Sequence, residues 1–394
     1  MGSSPSNSAC CKCKCNGESS EKEISSFQNT KSIIKIQSIY RGFIFRKKNP
    51  DLYRNINCFS IRGSSSFSDL SKQIKEISMN YTTETQDNNP KILKLKNLLP
   101  KFELDEKETY LLNTSQLKTM GLLYPNNIIY KGTVNDKFQR EGFGKLFLND
   151  GSIYEGFFKE NRMEGRGRFL NIEGFIYEGE FKNNLASGYG KYVGLDGTIY
   201  KGTWVNNKQN GIGDVTYSDN SHYIGNFIDG LKNGKGKFFF PEGNSYEGNF
   251  INNEIKGEGV YKWRDGRIYI GYWEGNKMNG YGIFMWPDCK KYYGHYVDNN
   301  KDGFGIFYWA DGKKFEGFWK DGKQHGYGLI LSHRIKEYGE WYEGKHIKNI
   351  NGENECNITQ KYIDSVKKDS EFTDFERNIE RYEKEIGIEN CYFE

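Results

Sequence analysis

The chain has 394 residues, a formal net charge of +4, 46 glycines, 28 tyrosines and 27 phenylalanines. A globular enzyme core of this length would gather Val, Leu and Ile around one centre, and the wealth of glycine and rings argues against it. Residues 1–50 hold nine Lys or Arg against three Glu, so the rest is slightly acidic, which argues against a general nucleic-acid surface; no run approaches the roughly 18 apolar residues of a membrane span, and no apolar leader follows Met1.

Residues 1–30 are expected to form a disordered arm. It begins Met-Gly-Ser-Ser-Pro-Ser, so Gly2 and Ser6 fit the N-myristoylation pattern, and Cys10, Cys11, Cys13 and Cys15 follow, separated by Lys12 and Lys14. One myristoyl chain binds membranes only marginally; a second acyl group or a basic patch is needed, and the arm offers both. A thiolate metal cluster is the competing reading, but zinc knuckles space their cysteines by two to four residues and come in pairs. No metal or other cofactor is expected. The scattered cysteines Cys58, Cys289, Cys356 and Cys391 read as free thiols.

Residues 31–48 predict a basic amphipathic helix. Ile33, Ile36, Tyr40, Phe43 and Ile44 share a stripe, with Lys35, Arg41, Arg46, Lys47 and Lys48 around it. Ile36-Gln37, Arg41-Gly42 and Arg46 have the spacing of the IQ motif, which this segment resembles. The resemblance implies a calmodulin-like EF-hand partner: Ile36 enters one lobe, Gln37 bonds its backbone, Arg41 and Arg46 meet its acidic rim, and Tyr40 and Gly42 complete the motif. A helix that packs against the rest of the chain is the plainer alternative.

Residues 49–100 read as a linker with short helices, serine-rich and charged over 64–89 and punctuated by Pro90 and Pro100. In 101–127 the apolar spacing of Leu111–Leu123 predicts a helix that caps the edge of the sheet described next.

Residues 128–346 carry a signature that returns every 23 residues. Tyr154, Tyr177, Tyr200, Tyr223, Tyr246, Tyr269, Tyr292 and Phe315 are followed two residues on by Gly156, Gly179, Gly202, Gly225, Gly248, Gly271, Gly294 and Gly317. A large ring comes two further on, as at Phe158, Phe181, Trp204, Trp273 and Trp319. A second glycine pair lies at 11 and 13 after the tyrosine (Gly165 and Gly167, Gly188 and Gly190), and acidic turns such as Asp150-Gly151 and Asp196-Gly197 separate the units. Asp-Gly between alternating aromatics is a hairpin signal, because glycine takes the positive φ that such turns need. Under period-two alternation the tyrosine, the glycines and the large rings share one face, with glycine gaps as slots for rings. Tyr130-Gly132 opens the array one residue early; Tyr338 continues the register but has Glu340 where glycine is due; Asp219-Asn220 and Asp288-Cys289 lack the turn glycine.

This pattern resembles the MORN repeat. The resemblance implies a mainly β chain: an elongated single-layer antiparallel array of about ten hairpins, roughly 95 Å long at about 4.8 Å per strand, with flanking helices and contacts kept between neighbours. It also implies protein partners for the array and, in some members, association with membrane, cytoskeleton or cilium.

The tail, 347–394, is charged, with helical spacing over Tyr362–Ile386. The five histidines, His222, His295, His325, His333 and His346, occupy unrelated repeat positions, and the glycine pairs recur in every unit without a following helix, so neither a catalytic constellation nor a phosphate loop is indicated. The expectation is a non-enzymatic scaffold on the cytoplasmic face of a membrane, bound to acidic lipid through its arm, to an EF-hand protein through 31–48 and to other proteins through the array. A component of cilium or cortical cytoskeleton, and a regulatory partner of a phosphatidylinositol phosphate kinase, are the alternatives.

Overall fold

The computed structural model describes residues 90–378, apart from 115–116, 125–127, 334, 369–371 and 376. The fold is mainly β, and the described residues form twenty-one antiparallel strands in one sheet. The described residues fall into two compact units that divide between 254 and 255.

The first unit opens with two short helices, α1 (Pro90–Lys96) and α2 (Glu106–Thr114), and then β1 (Lys118–Tyr124) and β2 (Ile128–Val134). The helix predicted over Leu111–Leu123 is therefore a helix only to Thr114; β1 pairs with β2, Met120 opposite Gly132, and extends the sheet by a strand where a helical cap was expected. Beyond Thr114 pairing with the free edge of β2 outweighs the weak apolar stripe, because that edge offers unpaired backbone groups. From β3 (Arg140–Phe147) onward each 23-residue unit is one hairpin, for example β4 (Ile153–Lys159) and β5 (Arg162–Asn171).

Two turns alternate. The acidic turn joins one unit to the next: Asp196 Oδ1 accepts from the Thr198 amide at 3.0 Å, and Gly197 takes φ +93°. Where glycine is missing, Asn220 and Cys289 take φ +66° and +64°, so the turn keeps its shape. The turn inside each unit is a second kind that the glycine signal did not reveal. Asn183 and Asn184 both have positive φ, 50° and 68°, and so do the pairs 160–161, 206–207, 252–253 and 298–299. Two consecutive left-handed residues match the twist of a hairpin, and asparagine tolerates them better than most.

Within each compact unit the glycines form a line across the strands. Within the first unit Gly144 pairs with Gly156, Gly156 with Gly167, Gly167 with Gly179, and so on to Gly236 with Gly248. In the second unit the line runs from Gly259 and Gly271 to Gly328 and Gly339. The last pairing corrects the reading of Tyr338: the final unit is one residue short, Gly339 is its slot glycine, and Tyr338 turns to the other face, where its hydroxyl meets Gln360 at 2.8 Å. At the opposite end Tyr130 comes early because its hairpin loop, 135–139, is longer than the two-residue turns.

Each tyrosine lies flat over this line. A Cβ on Gly271 would stand 2.6 Å from both the Gly282 Cα and the Tyr269 hydroxyl, so a side chain there has no room. Tyr154, Tyr200, Tyr223, Tyr246, Tyr269, Tyr292 and Phe315 are all fully buried. Tyr154, Tyr200, Tyr223, Tyr269, Tyr292 and Phe315 each meet the large ring of their own repeat and that of the next edge-on, for example Tyr154 with Phe158 and Phe181 at 5.1 and 5.0 Å and Tyr269 with Trp273 and Tyr296 at 5.2 and 5.3 Å. Edge-to-face pairs of this kind contribute about 0.5–1.5 kcal/mol beyond area burial. The sheet bulges just past the slot glycine, and the tyrosine hydroxyl donates to the carbonyl at the bulge: Tyr154 to Phe157 at 2.9 Å, Tyr200 to Thr203 at 3.0 Å, Tyr292 to His295 at 3.2 Å. Phe315 has no hydroxyl to donate.

The second unit ends in α3 (Glu353–Lys367), which starts nine residues before the predicted tail helix, and residues 372–375 and 377–378 within the predicted span are helical as well. Phe372 and Phe375, beyond it, are buried.

Candidate functional site

The array was expected to bind other proteins, but its slotted aromatic face is not free to do so. It is instead the core: Trp204, Phe227, Phe250 and Trp273 are at most 3% exposed, because every slot is filled by a ring of the chain itself. The position after the inner turn completes this core. It is Met163, Ala186, Ile255 or Met278 in some units, Gln209 or Gln324 in others, and a cation in three. Arg140 lies over Tyr124, Tyr130 and Phe158 at 5.2–6.0 Å. Lys301 lies over Trp286, Tyr292, Phe307 and Trp319 at 4.9–5.1 Å. Lys232 lies over Phe238, Tyr217 and Tyr223 at 4.9, 5.2 and 5.5 Å, with its Nζ 3.3 Å from the Tyr217 hydroxyl. Burial pushes the Lys232 ammonium down to about 8, with Asp219 pulling weakly the other way. The same burial raises the slot tyrosines above their usual range, so they stay neutral donors.

An asparagine ladder locks consecutive inner turns together, and the sequence reading missed it. Asn184 Oδ1 accepts from the Met163 amide at 2.8 Å while its own amide donates to the Met163 carbonyl at 3.0 Å. Asn161, Asn207 and Asn253 serve Arg140, Ala186 and Lys232 in the same way, and Asn276 and Asn299 serve Ile255 and Met278. Gly230, Gly322 and Gly344 keep only the backbone half of the ladder. Asparagine at 161, 184, 207, 253, 276 and 299 falls on the 23-residue period, so the signal was present.

The outer face differs in chemistry between the two units. In the first, the row beside the slot tyrosines is charged except at Ile224: Lys145 pairs with Glu155 at 4.0 Å, Arg168 with Glu178, and Lys237 with Glu247 at 3.1 Å. Beside that row Ile92 and Leu95 of α1, and Leu99 just past it, pack against Phe147, Ile153, Leu170, Ile176 and Val193. Phe102 stacks on Phe143, with the Arg166 guanidinium 4.8 Å from its ring, and Arg166 Nε reaches Glu108 at 2.9 Å. Farther along, His222 meets Asp214 at 2.9 Å and stacks on the exposed ring of Phe239.

In the second unit the corresponding row is apolar. Val260, Ile270, Ile283, Tyr293, Ile306, Glu316, Leu329 and Tyr338 stand opposite one another in turn, and Glu316 is its one charge among the described residues. The tail covers it. Ile363, Val366 and Phe372 pack with Phe304, Ile306 and Leu329, and Phe375 packs with Ile270, Ile283 and Met285. The Glu316 side chain is 5% exposed, takes a 2.7 Å ion pair from Lys314 and is hydrogen-bonded by Lys367 of α3. Burial alone would raise its carboxyl, but the two lysines outweigh burial and hold it below the usual range.

The lipidation residues Gly2, Cys10, Cys11, Cys13 and Cys15 and the IQ residues Ile36, Gln37, Tyr40, Arg41, Gly42 and Arg46 lie outside the described residues. Among the described residues no group of three His, Cys, Asp or Glu is placed to hold a metal ion, and no helix is long and apolar enough to cross a membrane.

The MORN repeat model matches residues 154–171, 177–199, 200–222, 223–245, 246–266, 269–288, 292–314 and 315–331, and the IQ calmodulin-binding motif matches 30–48. No curated protein matches the chain. Among solved structures, the TCP10 domain of Danio rerio CPAP matches at 12% identity and a TM-score of 0.31, covering 59% of this chain and 100% of that one. The TCP domain of Drosophila melanogaster SAS-4, in complex with a proline-rich motif of Ana2, matches at 13% identity and a TM-score of 0.26, covering 51% and 99%. At these values neither likeness carries an argument about this chain.

Proposed function

The chain is a MORN-repeat protein with an IQ motif, hence a scaffold with calmodulin-binding capacity, and from that premise we propose a membrane tether that calmodulin or a related EF-hand protein loosens. The observation that carries the reading is the crowding of three features at one end of the chain: a myristoylation-type start with four cysteines, a surplus of basic charge, and an IQ motif at 30–48, all ahead of a repeat array. Each basic residue near an anionic leaflet adds on the order of 1 kcal/mol of attraction. The apolar stripe of Ile36 and Tyr40, flanked by Arg41 and Arg46, is the surface that an acidic EF-hand lobe would bury, so lipid and EF-hand protein compete for it. The array holds other proteins at that membrane, and no step of this role requires catalysis.

Two experiments test the reading. Gly2→Ala should move the protein from membrane to cytosol, because acylation needs the glycine amine; an unchanged membrane fraction would defeat the tether. A peptide of residues 28–50 should sediment with acidic liposomes and be released by calmodulin, in calcium or in chelator. If calmodulin neither binds nor displaces it under either condition, residues 31–48 are a structural helix. The cilium or cytoskeleton reading predicts the opposite result in the first experiment, since a stable filament component needs no lipid.

A further inference from the structure

We propose that the outer face of residues 281–331 is a docking surface for an amphipathic helix that brings a lysine to Glu316, and that the chain's own tail is the resident competitor for it. The face has the chemistry of an interface and not of the solvent-facing row that this position forms in the first unit. Ile283, Ile306 and Leu329 stand where the first unit places ion pairs, and a single carboxylate, Glu316, is set among them at 5% side-chain exposure. A cover meant only to be permanent has no use for a charge at that point, since the desolvation of a buried pair offsets most of its attraction and an apolar contact would hold as well. What a buried charge adds is selection: a helix without a cation at the right place leaves Glu316 short of one partner.

The tail shows what fits. Ile363 and Val366 lie on one stripe of α3, Lys367 follows them to Glu316, and Phe372 lies beyond the helix end. Its hold is also built to be given up. Gly352 caps α3 without a side-chain hydrogen bond and Ile358 remains 67% exposed, and Ile363 and Thr359 are the buried residues of a 15-residue helix, with Tyr362 half exposed and stacked on Phe318. When the tail leaves, Lys314 still neutralises Glu316 from the neighbouring strand position, so the sheet is not left with an unpaired buried charge. The surface therefore survives uncovered, and a partner helix of the same pattern trades places with the tail. This deepens the scaffold reading by naming the partner chemistry of the array, and its purpose rests on that reading.

The test uses the full chain, a labelled peptide of residues 353–378, and neither membrane nor calmodulin, so its failure leaves the tether standing and failure of the tether leaves it standing. Lys367→Glu sets a carboxylate against Glu316 and should release the tail, raising hydrogen exchange in Asn300–Tyr308 and Lys323–Ser332. The peptide should then bind at least tenfold tighter than to the unaltered chain. A peptide carrying Lys367→Gln should bind the released chain at least fivefold more weakly, and adding Glu316→Gln to that chain should abolish the difference. Lys367→Gln in the chain, which removes the charge without adding repulsion, replaces Lys367→Glu if circular dichroism shows that the reversal disturbs folding. The proposal is overturned if the tail stays protected in both variants and no peptide binds, or if the two peptides bind alike. It is also overturned if light scattering shows that the released chain only pairs with a second copy of itself and excludes the peptide.

Discussion

Replacing Lys232 with methionine should stabilise the protein. Methionine already fills the same place at Met163 and Met278, which are 4% and 2% exposed, so the volume and shape of the substitution are tried in this fold. The ammonium of Lys232 is titrated down from the usual 10.5 to about 8 by burial. At about 1.4 kcal/mol per pH unit, holding it charged inside costs about 3 kcal/mol at pH 7. The rings of Tyr217, Tyr223 and Phe238, together with the Tyr217 hydroxyl that loses its Nζ partner in the variant, offset part of that, by up to about 2 kcal/mol. The net gain for Lys232→Met is therefore about 1–3 kcal/mol, a rise of roughly 3–10 °C in melting temperature for a unit of this size. The pH dependence makes the reasoning specific. Because the folded pKa lies below the unfolded one, the unfolded chain binds more protons between about pH 8 and 10.5, and the stability of the unaltered protein rises across that window. The methionine variant lacks this rise. The gap between the two proteins should be constant below about pH 8 and close toward pH 10.5; the tyrosines that lose protons near the top are common to both and cancel. Calorimetric scans of both proteins at several pH values measure the gap. A variant that melts no higher at pH 7, or a gap that does not narrow, refutes the buried-ammonium account.

Further outcomes follow from the slots and turns. Phe315→Tyr should add a hydroxyl aimed at the Phe318 carbonyl, as Tyr292 has at His295, and gain about 0.5–1.5 kcal/mol, while Tyr223→Phe should lose as much; melting shifts of the same sign in both would contradict the bulge hydrogen bond. Gly236→Val forces a branched side chain into the ring of Tyr223 and should cost about 1–3 kcal/mol or more. The exposed neighbour substitution Lys235→Val is the control, and equal melting temperatures would rule out the filled slot. Asn253→Gly keeps the positive φ but removes the acceptor of the Lys232 amide, so hydrogen exchange at that amide should quicken while the other rungs of the ladder keep their rates.

The repeat itself was legible because its constraints are local: Tyr154 and Gly156 sit two residues apart on one strand, and Asp196-Gly197 forms its turn unaided. The inner turn at Asn183-Asn184 carries no glycine to mark it, although asparagine takes the same backbone region at modest cost. Residues 118–124 were misread because Leu122 and Leu123 extend a helical spacing, and only the free edge of β2, distant in sequence, makes them a strand. That the rings are a core and not a surface depends on Tyr154 meeting Phe181 of the next unit, a contact which alternation within a single strand does not report. Glu316 and Lys367 lie 51 residues apart, and nothing local to either announces the pair.

The glycine line has a consequence for how such a chain diversifies. Tyrosine, the paired glycines and the turn asparagine all act on the inner face and the backbone, and none of them dictates what stands on the other side of the strand. Residues such as Glu155, Lys201, Ile224, Ile270 and Glu316 share one structural position and differ in chemistry from unit to unit. The backbone thus works as a ruler whose divisions are identical and whose labels are free, so a new binding address arises by relabelling one division, at little risk to the units on either side.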